Sequence, residues 1–313
     1  MAERAADWST VVHCYRMFDR FFPAFQLLDY TEGIYHDDPA TPYEVAQANQ
    51  INYLLDEVQC RQGSKILDLG CGNGTLLDEV KARGAEGIGI TISPEQVTRC
   101  RARGLDVRLV NYNDMANYWN GYFDAIVANG SIEHFVQPSE AASGEQDAIY
   151  RRLFQLCRRV LDPRSSSRRM VTTIIHFVRH APPEVFLKSP LSFRPFSDRF
   201  HYAFLSRAFG GYYPSLGQLE TCAQGEFSLV KEVDGTRDYH LTSEEWLRRG
   251  RRGLFSPRGM LAFLRSAPHM ILHPRHFAAL LTGVLITESW NWQFRGESPP
   301  TRLLRQTWQC VSA

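Results

Sequence analysis

The stretch from Lys65 to Thr75 constrains this chain most. A short apolar strand, Lys65-Ile66-Leu67-Asp68-Leu69, runs directly into Gly70-Cys71-Gly72-Asn73-Gly74 and then into a helical pattern. Three alternating glycines let the main chain turn sharply and leave no Cβ between it and a ligand. Strand, glycine turn and helix N-terminus in that order belong to open α/β sheets, whose ligands gather at the carboxyl ends of strands where the strand order reverses.

The rest of the chain agrees. After Lys65 the periodicity predicts a helix over 75–83, a strand over 87–91, a helix opened by Ser93-Pro94, and strands over 107–110 and 123–128. A helix over 147–160, a strand over 169–176, a helix over 216–223 and strands over 227–233 and 303–311 follow. Strand–helix alternation implies right-handed crossovers and a mostly parallel, doubly wound sheet. Before it lie an aromatic segment over 8–30, with Trp8, Tyr15, Phe18 and Tyr30, and a helix expected to start at Thr41-Pro42. Between 177 and 214 the chain is rich in proline and aromatics.

Composition excludes several functions. A net charge of +1 over 313 residues lacks the basic excess that phosphate backbones demand, so nucleic acid is not an expected partner. The seven cysteines are scattered without a Cys-x-x-Cys pair or a Cys/His cluster, which argues against zinc and against a disulfide framework; no metal is expected. The N-terminal residues lack a secretory pattern. The longest apolar run, 277–286, falls short of the ~20 residues of a membrane span. A cytoplasmic protein is expected, with one qualification: residues 246–276 mix exposed-type apolar side chains with seven arginines, a pattern suited to peripheral contact with an anionic membrane.

A glycine loop alone also fits a dinucleotide, but that reading wants an acid ending the second strand. Here the strand ends Gly89-Ile90-Thr91-Ile92-Ser93, and Glu95 comes only inside the helix. The loop instead resembles motif I of the methyltransferases that use S-adenosylmethionine (SAM). Three further segments sharpen the likeness. Gly89-Ile90-Thr91-Ile92-Ser93-Pro94-Glu95-Gln96, Asn111-Tyr112-Asn113-Asp114-Met115 and Gly130-Ser131-Ile132-Glu133-His134-Phe135 resemble consecutive motifs of the cyclopropane fatty acid synthase and mycolic acid cyclopropane synthase family.

That resemblance implies a Rossmann-like fold with a seven-stranded, mostly parallel sheet. An N-terminal helical lid (1–60) would precede a SAM-binding core (61–178), an inserted helical acceptor cap (179–215) and the rest of the core with C-terminal helices and a closing strand (216–313). It implies SAM as cofactor. Asp68 would end the first strand beside it, and Gly70, Cys71 and Gly72 would hold its methionine moiety. Thr91, Ile92 and Gln96 would follow the ribose, Tyr112, Asn113 and Asp114 would surround the adenine, and Asn129 would lie beneath it. Tyr30 and Thr31 would close over the cofactor.

In the resembled family a bicarbonate, held by a cysteine backbone, a Glu, a His and a Tyr, serves as base. Glu133 matches the Glu and Tyr239, through its spacing from Trp246, the Tyr. Glu32 stands where the cysteine is expected, and the His position falls at Thr172 or Thr173, with His176 a few residues late. The expected catalytic set is therefore Glu133, Tyr239 and Glu32, the last as a carboxylate in the place of the anion. The expected reaction moves a methyl or methylene group onto a carbon–carbon double bond of a lipid-like or natural-product acceptor. The alternatives are N-methylation of a small amine and non-catalytic SAM binding.

Overall fold

The computed structural model describes residues 9–27 and 29–311; Trp8 and the segment before it lie outside them. Seven strands, β1 (Lys65–Leu69), β2 (Glu86–Thr91), β3 (Asp106–Leu109), β4 (Ala125–Asn129), β5 (Arg169–Phe177), β6 (Phe227–Asp234) and β7 (Thr301–Cys310), form one sheet in the order β3-β2-β1-β4-β5-β7-β6. Strands β1 to β5 run parallel, and β7 runs antiparallel to both β5 and β6. The chain leaves β1 toward β2 on one side and returns as β4 on the other, so the order reverses at the carboxyl end of β1. That is where Gly70 to Gly74 turn the chain, and ligands of such sheets bind at this point.

Helices cover both faces. On one, α2 (Tyr43–Glu57) and α3 (Thr75–Ala82) pack against Ile66, Ala125, Val127 and Val171. The stripe Ile51, Leu54, Leu55 and Val58 is wholly buried there, as its helical spacing predicts. Pro42 rather than Thr41 takes the N-cap position of α2, with no side-chain cap; the Thr41 hydroxyl donates to the Tyr35 carbonyl instead (3.2 Å). On the same side of the sequence, α4 (Pro94–Ala102) is capped by Ser93, whose Oγ accepts from the Gln96 amide. On the other face lie α5 (Met115–Tyr118), α6 (Pro138–Ala142) and α7 (Gln146–Val160). The last buries Tyr150, Leu153, Phe154, Cys157 and Val160 along one side.

Residues 179–215 supply α8 (Pro183–Leu187) and α9 (Asp198–Phe209); Phe186 of α8 packs against Tyr202 of α9 and against Tyr212 beyond it, and all three are buried. After α10 (Gln218–Ala223) a larger helical layer rises between β6 and β7: α11 (Thr236–Leu254), α12 (Pro257–Leu272), α13 (Pro274–Leu281) and α14 (Ser289–Trp292). The N-terminal α1 (Ser9–Phe25) packs across α9, α11, α12 and α13. All seven cysteines are free and buried, and among the described residues no helix is long and apolar enough to cross a membrane.

Candidate active site

Two adjoining cavities open above the carboxyl ends of β1 and β4. The first is lined by Asp68, Gly70, Cys71, Gly72, Thr91, Ile92, Gln96, Tyr112 and Asn129, with Tyr30 and Thr31 reaching in from the N-terminal segment. Eleven of the thirteen residues expected to hold the cofactor thus face one space. Asn113 and Asp114 do not: they belong to the 3₁₀ turn after Tyr112, and Asn111 lines the cavity in their stead. The Asn111 side chain caps that turn by accepting from the Asn113 amide (3.0 Å).

Glycine is required here for two separate reasons. At Gly70 (φ +87°) a Cβ would stand 2.5 Å from the Ser131 Cβ, whose hydroxyl donates to the Leu69 carbonyl. At Gly72 (φ +50°) a Cβ would meet only the Tyr30 ring, at 3.8 Å, so a side chain there would project toward the cavity. Several lining polar groups are oriented by the protein itself. The Thr91 hydroxyl donates to Gln96 (2.6 Å), and Asn129 is held by Thr31, Gln50 and Thr173. The lid is latched as well: the Tyr30 hydroxyl donates to Asp19, which pairs with Arg99 (3.1 Å), and Arg99 donates to Asn73 in the glycine loop.

The electrostatics fit a cationic ligand. Burial pushes the Asp68 carboxyl up to about 8, with the nearby Asp29 carboxylate adding to the rise, and Asp29 itself up to about 6. Two desolvated carboxyl groups on one wall favour a positively charged occupant, since an opposite charge restores their ionised form. SAM carries an ammonium and a sulfonium, and the glycine cradle accepts its close approach to the backbone.

The second cavity shares Tyr15, Tyr30, Gly130 and His134 with the first. Its walls are Phe18, Phe209, Tyr213, Tyr239, Trp246 and Trp290, and among the described residues Glu133 is its one carboxylate. Burial pushes the Glu133 carboxyl up to about 8, against the pull of the backbone amides beside it. Its Oε1 accepts from the Ile175 amide (3.4 Å), while Oε2 has no hydrogen-bond partner among the described residues. Tyr239 lies on α11, stacked on Phe294 with ring centroids 4.4 Å apart. The wall comes more from residues 239–291 than from 179–215.

Glu32 is not at this centre. It lines neither cavity; its Oε1 accepts from Arg305 Nε (3.1 Å), and Arg305 also pairs with Asp238 (2.9 Å). Both Glu32 and Arg305 are almost wholly buried, so the carboxylate is committed to that cation. Bicarbonate does not fit these residues. The cysteine position holds a buried acid, and His176 lines neither cavity, its Nδ1 lying 3.0 Å from the Ile174 carbonyl. Removing one partner of a buried ion pair leaves an uncompensated charge costing about 3–5 kcal/mol. Arg305→Ala should therefore lose stability on that scale in urea titrations, and more than Asp238→Asn.

Residues that sequence reasoning passed over also shape the site. Tyr15 sits between the cavities with its hydroxyl 2.9 Å from His134 Nε2, and Phe135 stacks on Tyr112 with centroids 4.0 Å apart. Gly211 (φ +80°) lies so close beneath the Glu133–His134 backbone that a Cβ would stand 2.2 Å from the Glu133 carbonyl oxygen. Tyr15 and Phe135 were visible as aromatics near a motif; the contact of Gly211 had no local signal.

Sheet order, glycine cradle and paired cavities define a class: this is the fold of the SAM-dependent methyltransferases. Within that class the chain belongs to the mycolic acid cyclopropane synthetase family, whose pattern it matches over residues 2–252. It is similar in structure to mycolic acid cyclopropane synthase CmaA1 complexed with SAH and CTAB (TM-score 0.69, 21% identity, 97% of this chain and 98% of that one). It is similar also to coclaurine N-methyltransferase bound to N-methylheliamine and SAH (TM-score 0.66, 14% identity, 98% and 89%). In sequence it is 32% identical over 123 residues to the cyclopropane-fatty-acyl-phospholipid synthase of Escherichia coli (strain K12), covering 38% of this chain and 30% of that protein. With the ubiquinone biosynthesis O-methyltransferase of Xanthomonas oryzae pv. oryzae (strain PXO99A) it shares 27% identity over 133 residues, 41% of this chain and 50% of that protein. The matches thus span half or less of the length of these curated relatives.

Proposed function

We propose that this chain uses SAM to transfer a methyl or methylene group to a carbon–carbon double bond of a lipid-like or natural-product acceptor. The observation that carries the proposal is the second cavity: apolar and aromatic, adjoining the cofactor space, with Glu133 the one carboxylate in its wall among the described residues. When bound, SAM supplies a methyl group on a sulfonium, which leaves readily. Gly70, Cys71 and Gly72 would hold it by main-chain approach, with Asp68 as an anionic partner; Thr91, Ile92 and Gln96 would hold the ribose, and Asn111, Tyr112 and Asn129 the base. Tyr30 and Thr31 exclude water from above. Tyr239, Trp246 and Trp290 present ring faces that favour positive charge developing on the acceptor carbon. Glu133, with its unpartnered oxygen, takes the proton that such a carbon must lose. Tyr239 lines the same cavity as that carboxyl.

An apolar extension supports a long acceptor. A third apolar space, lined by Met17, Phe21, Leu254 and Phe277, shares Phe18, Phe25, Val284 and Leu285 with the second cavity. Labelled methyl-SAM offered with an olefinic lipid extract and with an amine panel tests the reading. Label in the lipid fraction is expected; label only in an amine would overturn it in favour of N-methylation, and SAH binding without turnover on either would favour a non-catalytic role.

The same acceptor class suggests peripheral membrane contact through residues 246–276. Phe255 (82% exposed), Leu264 (72%) and Ile271 (77%) face solvent beside the exposed Arg252, Arg258, Arg265 and Arg275. Apolar insertion with basic flanks favours an anionic bilayer. In flotation assays, Leu264→Asp/Ile271→Asp should lose binding to phosphatidylglycerol vesicles while keeping SAH affinity; equal flotation of wild type and variant would sink the idea.

A further inference from the structure

We propose that His13, His269 and His273 form a binding site for a borderline divalent transition-metal ion such as Zn²⁺. His13 lies on α1, His269 on α12 and His273 at the junction of α12 and α13. The four-residue spacing sets His269 and His273 on one helical face, and the packing of α1 on α12 brings His13 over them. Ring centroids are 3.9 Å apart for His13 and His273, 4.7 Å for His269 and His273, and 5.2 Å for His13 and His269. One nitrogen from each ring lies within 4.8 Å of the other two. Zinc–nitrogen bonds of about 2.1 Å allow two ligands of one ion to be at most about 4.2 Å apart, so small side-chain rotations complete the shell.

A second observation points the same way. His269 is only 8% exposed, yet its Nε2 has no hydrogen-bond partner among the described residues. A buried imidazole nitrogen left without a partner is costly, and an ion bound there would remove that cost. The donor set is all imidazole, which suits Zn²⁺, Ni²⁺ or Cu²⁺ and not the oxygen-seeking Mg²⁺ or Ca²⁺. Three protein ligands leave a fourth position for water or a small anion. Of the neighbouring cations, Arg16 is neutralised by Glu95 (2.6 Å) and Arg20 donates to the Arg265 carbonyl (3.3 Å). The site ties two layers together: α1 carries Val11, Val12 and Tyr15 to the cofactor cavity, and α12 carries the exposed apolar face.

The test is calorimetric titration of untagged, chelator-stripped protein with ZnCl₂, and with MgCl₂ as control. One zinc ion per chain is expected, no heat from magnesium, and visible absorption from a bound Co²⁺ substitute. His13→Asn and His273→Asn, both at half-buried positions on different elements, should each weaken zinc by about ten-fold or more, whereas His240→Asn on α11 should not. Unchanged SAH binding by these variants establishes that they are folded. Absence of stoichiometric zinc binding by wild type, or equal affinity in folded His13→Asn and His273→Asn, overturns the proposal.

Discussion

Glu133→Gln should reduce turnover by about 100- to 10,000-fold, the usual contribution of a positioned general base, while leaving SAH affinity within a few-fold of wild type. The amide keeps the shape and can still accept from the Ile175 amide, so the loss reports on proton transfer alone. A pH profile sharpens the test. Because burial holds the Glu133 carboxyl at about 8, its base form appears only as pH rises through that value, and kcat/KM should climb toward pH 8 and level above it. The same shift has a stability sign. In the unfolded chain Glu133 gives up its proton near 4.5, but in the folded chain it keeps it to about 8. Between those values the unfolded state binds fewer protons, so this group lowers stability progressively as pH rises, with the full cost present above about pH 8. Glu133→Gln lacks that cost. Its Tm should exceed that of wild type at pH 8, and the gap should close toward pH 5. A variant that turns over normally would remove Glu133 from the mechanism.

Gly72→Val should weaken cofactor binding by about 10- to 100-fold or more in a folded protein. Valine at φ +50° costs on the order of 1–3 kcal/mol of backbone strain, tolerable for a chain of this size. The branched side chain meets no wall of the fold and projects toward the cavity that Gly72 lines. Crowding a ligand by even two methyl groups is worth about 1–3 kcal/mol, so SAH affinity should drop by about 10- to 100-fold or more. Calorimetry with SAH reads this directly. A melt confirms it: ligand at 100 times the wild-type Kd adds about 2.7 kcal/mol to wild type but only about 0.4–1.4 kcal/mol to a variant bound 10- to 100-fold more weakly, so its Tm should rise less. Gly70→Ala behaves differently, because its Cβ strikes Ser131 and damages the loop itself. Undiminished SAH binding by Gly72→Val would place the cofactor elsewhere.

Local pattern alone was enough to determine the strands from Lys65 to His176, the helices between them and the glycine turn, because each depends on residues within one turn or one strand of each other. It also determined which loops meet: parallel strands carry their carboxyl ends to one edge, so motifs following β1, β2, β3 and β4 converge without further information. Hence eleven of the thirteen residues expected at the cofactor line one cavity, while Asn113 and Asp114 sit in a 3₁₀ turn and do not line it. The remainder rests on contacts between distant parts of the chain, which leave no periodic trace. Glu32 was expected as a catalytic carboxylate in the place of the anion, but Arg305, 273 residues on, comes across from β7 to pair with it. Tyr15 reaches His134 over 119 residues, and most of the acceptor wall rises from helices inserted between β6 and β7. His13 meets His269 and His273 only because α1 crosses α12. The sequence by itself determined the sheet and the cofactor edge; tertiary packing decided which buried charges are spent on the fold and which are left to do chemistry.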